Sequence, residues 1–204
     1  MILIGAGGHA RACMEVIEQE GKYQIAGLVG MPEEMRSQHL GYTVIATDDA
    51  LPELAKEYRC ALITVGMVGP ADKRIHLYRQ AAQAGFLLPH IIAPTAHVSR
   101  HATIGAGTIV MHGAIVNAGA RVGSNCIVNS RALIEHDATV EDHCHISTGA
   151  ILNGSVTIGA GSFVGSGSVV KDGLRLGKCC LVGMGLSVRH NQADHARFIG
   201  HGRK

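Results

Sequence analysis

Residues 104–128 read IGAGTIVMHGAIVNAGARVGSNCIV. An aliphatic side chain returns at every sixth position, and a small residue follows it four positions later. Extended in both directions, this ruler meets Val98, Ile104, Val110, Val116, Val122, Val128, Ile134, Val140, Ile146, Leu152, Ile158, Val164, Val170, Leu176, Val182 and Val188, all aliphatic. Composition alone would give such a run about once in a million trials. The small residues include Ala102, Thr108, Ala114, Ala120, Cys126, Ala132, Ala138, Cys144 and Ala150. A period of six is the hexapeptide signature of a parallel β-helix. Each hexad makes a short strand and a turn, and three hexads make one triangular coil, so about five coils are expected. The aliphatic side chain points into the prism and the small one packs beside it. Glycine often follows the ruler residue, as at Gly105 and Gly123, where its access to positive φ suits a tight corner.

The ruler also places the cysteines. There are six (Cys13, Cys60, Cys126, Cys144, Cys179 and Cys180), with no CxxC pair, so free thiols in a reducing compartment are expected. Cys126, Cys144 and Cys180 are separated by multiples of eighteen, and Thr108 and Ser162 fill the same column. These are inward, stacked side chains, and Cys144 is expected to be structural rather than a nucleophile.

Residues 1–89 follow a different pattern. MILI is a short strand, GAGGHA a turn, and ARACMEVIEQEG a helix. QIAGLV and ALITVG are further strands, Asp48 is placed to cap the helix DALPELAKEY, and ADKRIHLYRQAAQAG is a helix ending at Gly85. Strand and helix alternate, which predicts a small Rossmann-like parallel α/β domain. PHIIAP, residues 89–94, is the junction, and residues 90–204 form the helical prism. The spacing Gly5-x-Gly7-x-x-Ala10 after a strand matches the dinucleotide fingerprint, whose backbone amides hold phosphate at a helix N-terminus. A complete NAD site also needs an acid at the end of the second strand. The sequence there is Leu28-Val29-Gly30, with Glu33 and Glu34 only later, which favours a nucleoside-diphosphate ligand over NAD.

Composition excludes other classes. The net charge is +2, aromatics make up 3% of the chain, and there is no basic run, so no nucleic-acid partner is expected. The apolar start is only four residues long before glycine, too short for a signal peptide or membrane span. A cytoplasmic protein with no membrane partner is expected.

Chemistry concentrates in residues 134–149, IEHDATVEDHCHISTG, with three histidines, one cysteine and four acids. A metal centre would need converging ligands. His136 and His145 are nine residues apart, half a coil, and so leave the prism from different sides; no metal is expected. His143 and His145 flank the inward Cys144 and point outward.

A GAGGH strand–turn–helix domain joined to a hexapeptide helix carrying IEHD and a later histidine resembles the sugar O/N-acyltransferases of the sialic-acid and bacillosamine pathways. The UDP-4-amino-sugar N-acetyltransferases among them are the most similar. The resemblance covers nearly the whole chain. It implies a left-handed β-helix, a homotrimer with active sites between subunits, acetyl-CoA along the groove between neighbouring helices, and a nucleotide sugar against the N-terminal domain. By position, it implies His136 as general base, Asp137 as the acid that orients it, and His145 at the thioester end of acetyl-CoA. Ser166 and Met184 would touch the cofactor, and Gly7, Gly8, His9 and Gly66 the nucleotide sugar. The chain departs from the family at Gly30-Met31-Pro32, where paired acids are usual, at Thr148, where proline is common, and in FIGHGRK, which lacks the closing-loop proline.

Histidine suits the proposed chemistry because a sugar amine must lose a proton as it attacks a thioester, and an imidazole accepts one near neutrality. Backbone N–H groups or His145 are the expected donors to the oxyanion. The implied activity is acetyl-CoA-dependent N-acetylation of a UDP-4-amino-4,6-dideoxysugar in glycan-precursor synthesis. The alternatives are O-acetylation of sialic acid or a related sugar, and a non-catalytic β-helix that binds or serves as structure.

Overall fold

The computed structural model describes residues 1–200, so the last four residues of FIGHGRK lie outside the described residues. The N-terminal elements are β1 (Ile2–Ile4), α1 (Gly8–Glu20), β2 (Gly27–Val29), β3 (Gln38–His39), β4 (Tyr42–Ala46), α2 (Leu51–Glu57), β5 (Ala61–Ile63) and α3 (Asp72–Ala84). The sheet order is β3-β4-β2-β1-β5, parallel except for the β3–β4 hairpin. Helices α1 and α3 both stop at a left-handed glycine, Gly21 and Gly85, which lets the last carbonyls find partners.

The sequence reading omitted β4. Its burial alternates, with Val44 and Ala46 inside, but it sits between turn-rich segments that mask the signal. Asp48 is not a helix cap: it begins a 3₁₀ turn, Asp48–Ala50, and makes no capping hydrogen bond.

From Ile91 onward the chain winds as a left-handed parallel β-helix with three faces. This handedness runs against the usual right-handed crossover. Face A stacks the strands Ile91–Ile92, Ile109–Val110, Ile127–Val128, His145–Ile146, Phe163–Val164, Leu181–Val182 and Arg197–Phe198. Face B stacks His97–Val98, Ile115–Val116, Leu133–Ile134, Ile151–Leu152, Val169–Val170 and Ser187–Val188. Face C stacks Thr103–Ile104, Arg121–Val122, Thr139–Val140, Thr157–Ile158 and Arg175–Leu176. The ruler extends back one step, to Ile92, which packs against the same core. Register is eighteen residues per coil until the end, where Leu181 pairs with Arg197 and the last coil is two residues short.

The corners use glycine in two ways. The glycine after the ruler residue is not the one at positive φ. It is required because coils touch there: a Cβ on Gly105 would lie 2.5 Å from the Gly123 carbonyl carbon. Positive φ falls two positions later, at Gly107 and at non-glycine residues such as Asn125, Asp137 and His143. Asn and Asp tolerate this region better than most side chains.

Inside the prism the small column is a hydrogen-bonded ladder. Thr108 Oγ1 donates to Gly123 O at 2.7 Å and accepts from Cys126 N at 2.9 Å. Cys126, Cys144 and Cys180 Sγ donate to Glu141 O, Gly159 O and Ala193 O at 3.2, 3.2 and 3.0 Å, and Ser162 continues the pattern between them. Burial pushes the Cys144 thiol well above its ordinary range, so it is not a thiolate nucleophile.

The three faces differ outside. Face A is covered by the chain's own N-terminal domain, with Ile91, Ile109 and Ile127 fully buried in one core with Met14, Ile17 and Met67. Face C presents Thr103, Arg121, Thr139, Thr157 and Arg175. Face B presents Ile115, Leu133, Ile151 and Val169, with Ile115 39% exposed. No helix among the described residues is long and apolar enough to cross a membrane.

Candidate active site

Gly7, Gly8, His9 and Gly66 line a single cavity of about 330 Å³ at the C-terminal ends of β1, β2 and β5. The tight turn after β1 needs Gly5: its φ is +120°, and a Cβ there would lie 2.6 Å from Val65 Cγ2. No side chain caps α1 at Gly7, and the first turn holds no acid. The helix therefore offers bare N–H groups to an anion. Glu34, Asp48 and Lys73 also line it; the sequence reading assigned none of them to the site, taking Asp48 for a helix cap and Glu34 as too far beyond the second strand. Glu34 Oε2 accepts from Met31 N at 2.8 Å, and a Cβ on Gly30 would lie 2.8 Å from that oxygen. The acid absent from the end of β2 in sequence is thus supplied in space from four residues on. A turn-forming proline, Pro32, followed by two acids was the available signal.

His145 lies on face A, 6% exposed, where the N-terminal domain meets the prism. Its Nδ1 donates to Met67 O at 2.6 Å, and since a carbonyl only accepts, the proton is on Nδ1. Nε2 accepts from Asn129 Nδ2 at 3.1 Å. Burial, with the Arg74 charge adding to it, depresses the His145 pKa to about 4. His145 is therefore a neutral acceptor at Nε2, and the expectation that it donates to an oxyanion is overturned. His9 is likewise held neutral, its pKa driven to about 3 by burial and then by the Arg74 charge. Arg74 is 1% exposed and donates to Ile63 O, Val65 O and Asn125 O. It braces the cavity wall against the prism. His143, pointing outward from the prism, is half-buried under the N-terminal domain: it lies edge-on to Tyr78, centroids 5.6 Å apart, and accepts from Asn125.

His136 and Asp137 are on the corner between faces B and C, opposite face A. His136 Nδ1 donates to Asp137 Oδ2 at 2.9 Å. That bond, above all, raises the His136 pKa and leaves Nε2 as the basic lone pair. Glu135 Oε2 accepts from His136 N at 3.2 Å and from Asn117 Nδ2 at 2.9 Å, fixing the corner. The ring lies over Gly154, where a Cβ would come within 2.7 Å of Nε2. It opens on a groove of about 580 Å³ walled by Glu135, Asn153, Ser155 and Asp172.

Ser166 and Met184 stack one coil apart on the corner between faces A and B, linked by Gly185 N to Ser166 O at 2.9 Å. Met184 is 80% exposed, and Ser166 meets Ser147 Oγ at 2.9 Å. This corner adjoins His145. One chain thus brings the cavity, His145, Ser166 and Met184 to one side of the prism and places His136–Asp137 on the other. Among the described residues no cluster of His, Cys, Asp and Glu has the geometry to hold a metal ion.

A family model described as the PglD N-terminal domain matches residues 1–80, and one described as bacterial transferase hexapeptide (six repeats) matches residues 137–172. The chain is 31% identical to a mutant of perosamine N-acetyltransferase from Caulobacter crescentus solved with CoA and GDP-perosamine; the TM-score is 0.91, covering 100% of this chain and 95% of that one. It is 32% identical to the acetyltransferase domain of PglB from Neisseria gonorrhoeae FA1090 in complex with acetyl coenzyme A; the TM-score is 0.87, covering 96% of this chain and 93% of that one. WeeI from Acinetobacter baumannii AYE, 18% identical at a TM-score of 0.86 over 100% of this chain and 99% of that one, shares the fold. No curated protein sequence matches the chain.

Proposed function

Since the chain belongs to the sugar acyltransferases that join a PglD-type N-terminal domain to a hexapeptide β-helix, we propose that it acetylates the 4-amino group of a UDP-4-amino-4,6-dideoxysugar, with His136 as general base. It is an acetyl-CoA-dependent sugar acyltransferase. The observation that carries the finer reading is the His136–Asp137 pair, Nδ1 committed to the carboxylate and Nε2 free over Gly154. In the reaction, the sugar amine attacks the thioester carbonyl and gives its proton to Nε2. The tetrahedral species collapses with loss of the C–S bond, and the CoA thiolate takes the proton back from His136. Backbone N–H groups, not His145, meet the oxyanion. His145, its Nδ1 held by Met67 O and its Nε2 by Asn129, would shape the groove at the thioester end of acetyl-CoA. Residues 1–89 would hold the nucleotide sugar and residues 90–204 the acetyl-CoA, in the cytoplasm.

The base and the nucleotide cavity lie on opposite sides of one chain, so the site needs a second copy. Face B carries the unpartnered aliphatic stripe, and the corners bearing Met184 and His136 are its two edges. Three prisms that turn face B to a common axis bring the His136 corner of one copy to the Ser166–Met184 corner of the next. This is a closed heterologous ring, and it supports a homotrimer with sites between subunits.

A second reading, a GDP-linked acceptor, is favoured by the likeness to the GDP-perosamine complex. O-acetylation of sialic acid would use the same base but leaves the nucleotide cavity without a role. The test is thiol release from acetyl-CoA with UDP- and GDP-linked 4-amino-sugars and free sialic acids, for wild type and His136→Ala. Turnover of one amino-sugar, lost in the variant, supports the proposal. Turnover confined to sialic acids overturns the N-acetyl reading, and full activity in His136→Ala overturns the base assignment.

A further inference from the structure

The nucleotide cavity shows which sugar of the nucleoside it is built to accept. In a sheet of this order, phosphate sits at the β1–α1 turn and the nucleoside runs across the end of β2 toward β4, where an acid meets the ribose. Here β2 ends in Val29-Gly30, and the 3₁₀ turn Pro32–Glu34 folds Glu34 back over it. Its Oε2 is fixed by Met31 N–H at 2.8 Å and fills the space that a side chain on residue 30 would take. Oε1 is left to accept. The other carboxylate of the cavity, Asp48, lies near the Lys73 ammonium; among the described residues Glu34 has no cation as a hydrogen-bond partner. A carboxylate in this place accepts from donors only, and the donors a nucleoside brings to the end of β2 are ribose hydroxyls.

We infer that Glu34 accepts from the ribose 2′-hydroxyl and makes the cavity select ribonucleoside diphosphate sugars over their 2′-deoxy counterparts. This rests on the nucleotide-sugar reading above. With a 2′-deoxyribose, Oε1 is stripped of water without gaining a donor, which is the arrangement that rejects an analogue lacking a hydroxyl most strongly.

The test is calorimetric titration of the full chain with UDP, GDP, 2′-deoxyUDP and 2′-deoxyGDP. In the wild type, whichever ribonucleotide binds is expected to bind about 10- to 100-fold more tightly than its deoxy partner, the range for a hydrogen bond to a charged group. Two variants remove the preference by different routes. Glu34→Gln keeps an oxygen for Met31 N–H but loses the charge. In Gly30→Ala the closest contact of the new Cβ is the Glu34 carboxylate, so the acid is displaced while remaining present. Both are expected to bring the ratio within about threefold. Equal, measurable affinities in wild type would overturn the inference and leave the nucleotide-sugar reading standing. A ratio unchanged in both variants would assign the preference to another group and overturn the role of Glu34. No binding of any of the four would overturn both readings.

Discussion

The buried histidine at the domain junction makes acid stability measurable. His145 is neutral in the fold, with its pKa lowered to about 4 mainly by burial, against about 6.5 in an unfolded chain. Its folded pKa is depressed, so the unfolded state binds the proton first as pH falls. Stability from this residue is therefore fully present above about pH 7 and is lost between about pH 6.5 and 4. At pH 5 the unfolded state gains a factor of about thirty, or about 2 kcal/mol, and the loss reaches about 3 kcal/mol below pH 4. His9 adds to the loss in the same direction, and so does half-buried His143, whose pKa burial lowers. His136, raised by Asp137, acts in the opposite sense but is present in every sample. The perturbation is His145→Asn, whose amide can still donate to Met67 O where Nδ1 did. Urea unfolding at fixed protein concentration, at pH 7 and pH 5, should show the wild type losing about 2 kcal/mol more than the variant. Equal losses in the two proteins would mean that His145 is already charged or free in the fold, and the acceptor assignment would fall with it.

Asp137→Asn should let the His136 pKa drop toward its ordinary value. The rising limb of kcat/KM then moves to lower pH while the plateau falls about ten- to a hundredfold; a pH–rate profile with an unmoved limb would separate the two residues. Gly7→Asp should fold normally, because a Cβ there meets nothing within 4 Å and aspartate caps a helix slightly better than glycine. Its carboxylate would nonetheless repel a diphosphate, so the melting temperature should hold or rise while nucleotide-sugar binding is lost. Cys144→Ala removes one rung of the inner ladder, with a cost of about 1–2 kcal/mol in thermal or chemical unfolding. Its kcat should stay within about twofold of wild type, since the proposed direct transfer uses no covalent intermediate.

The prism was legible because its period is strict: one residue in six is aliphatic and fills the axis, and the position beside it is mostly Ala, Thr, Ser or Cys, with Val156, Leu174 and Leu186 the larger residues there. The same logic removed Cys144 from the chemistry and separated His136 from His145. Two kinds of information were not in the spacing. Glycine after the ruler residue looked like a positive-φ signal, but coil-to-coil contact, at 2.5 Å for a Cβ on Gly105, is what demands it. The tautomer of His145 depends on Met67 O, contributed by a residue 78 positions away, and the acid at the end of β2 depends on a turn that brings Glu34 back over Gly30. Both are tertiary events, so a strand-end rule applied to the sequence finds Gly30 and stops.

The central claim is that the site is shared between copies. His136→Ala removes the proposed base on one corner, and Gly7→Asp disables the proposed nucleotide cavity on the opposite side; each should be inactive alone. The decisive measurement is acetyl transfer after the two variants are mixed in equal amounts and allowed to exchange subunits. In a closed ring with one contribution from each neighbour, about a quarter of the sites are intact, so about a quarter of wild-type activity should return. A site contained within one chain would give no recovery at any mixing ratio.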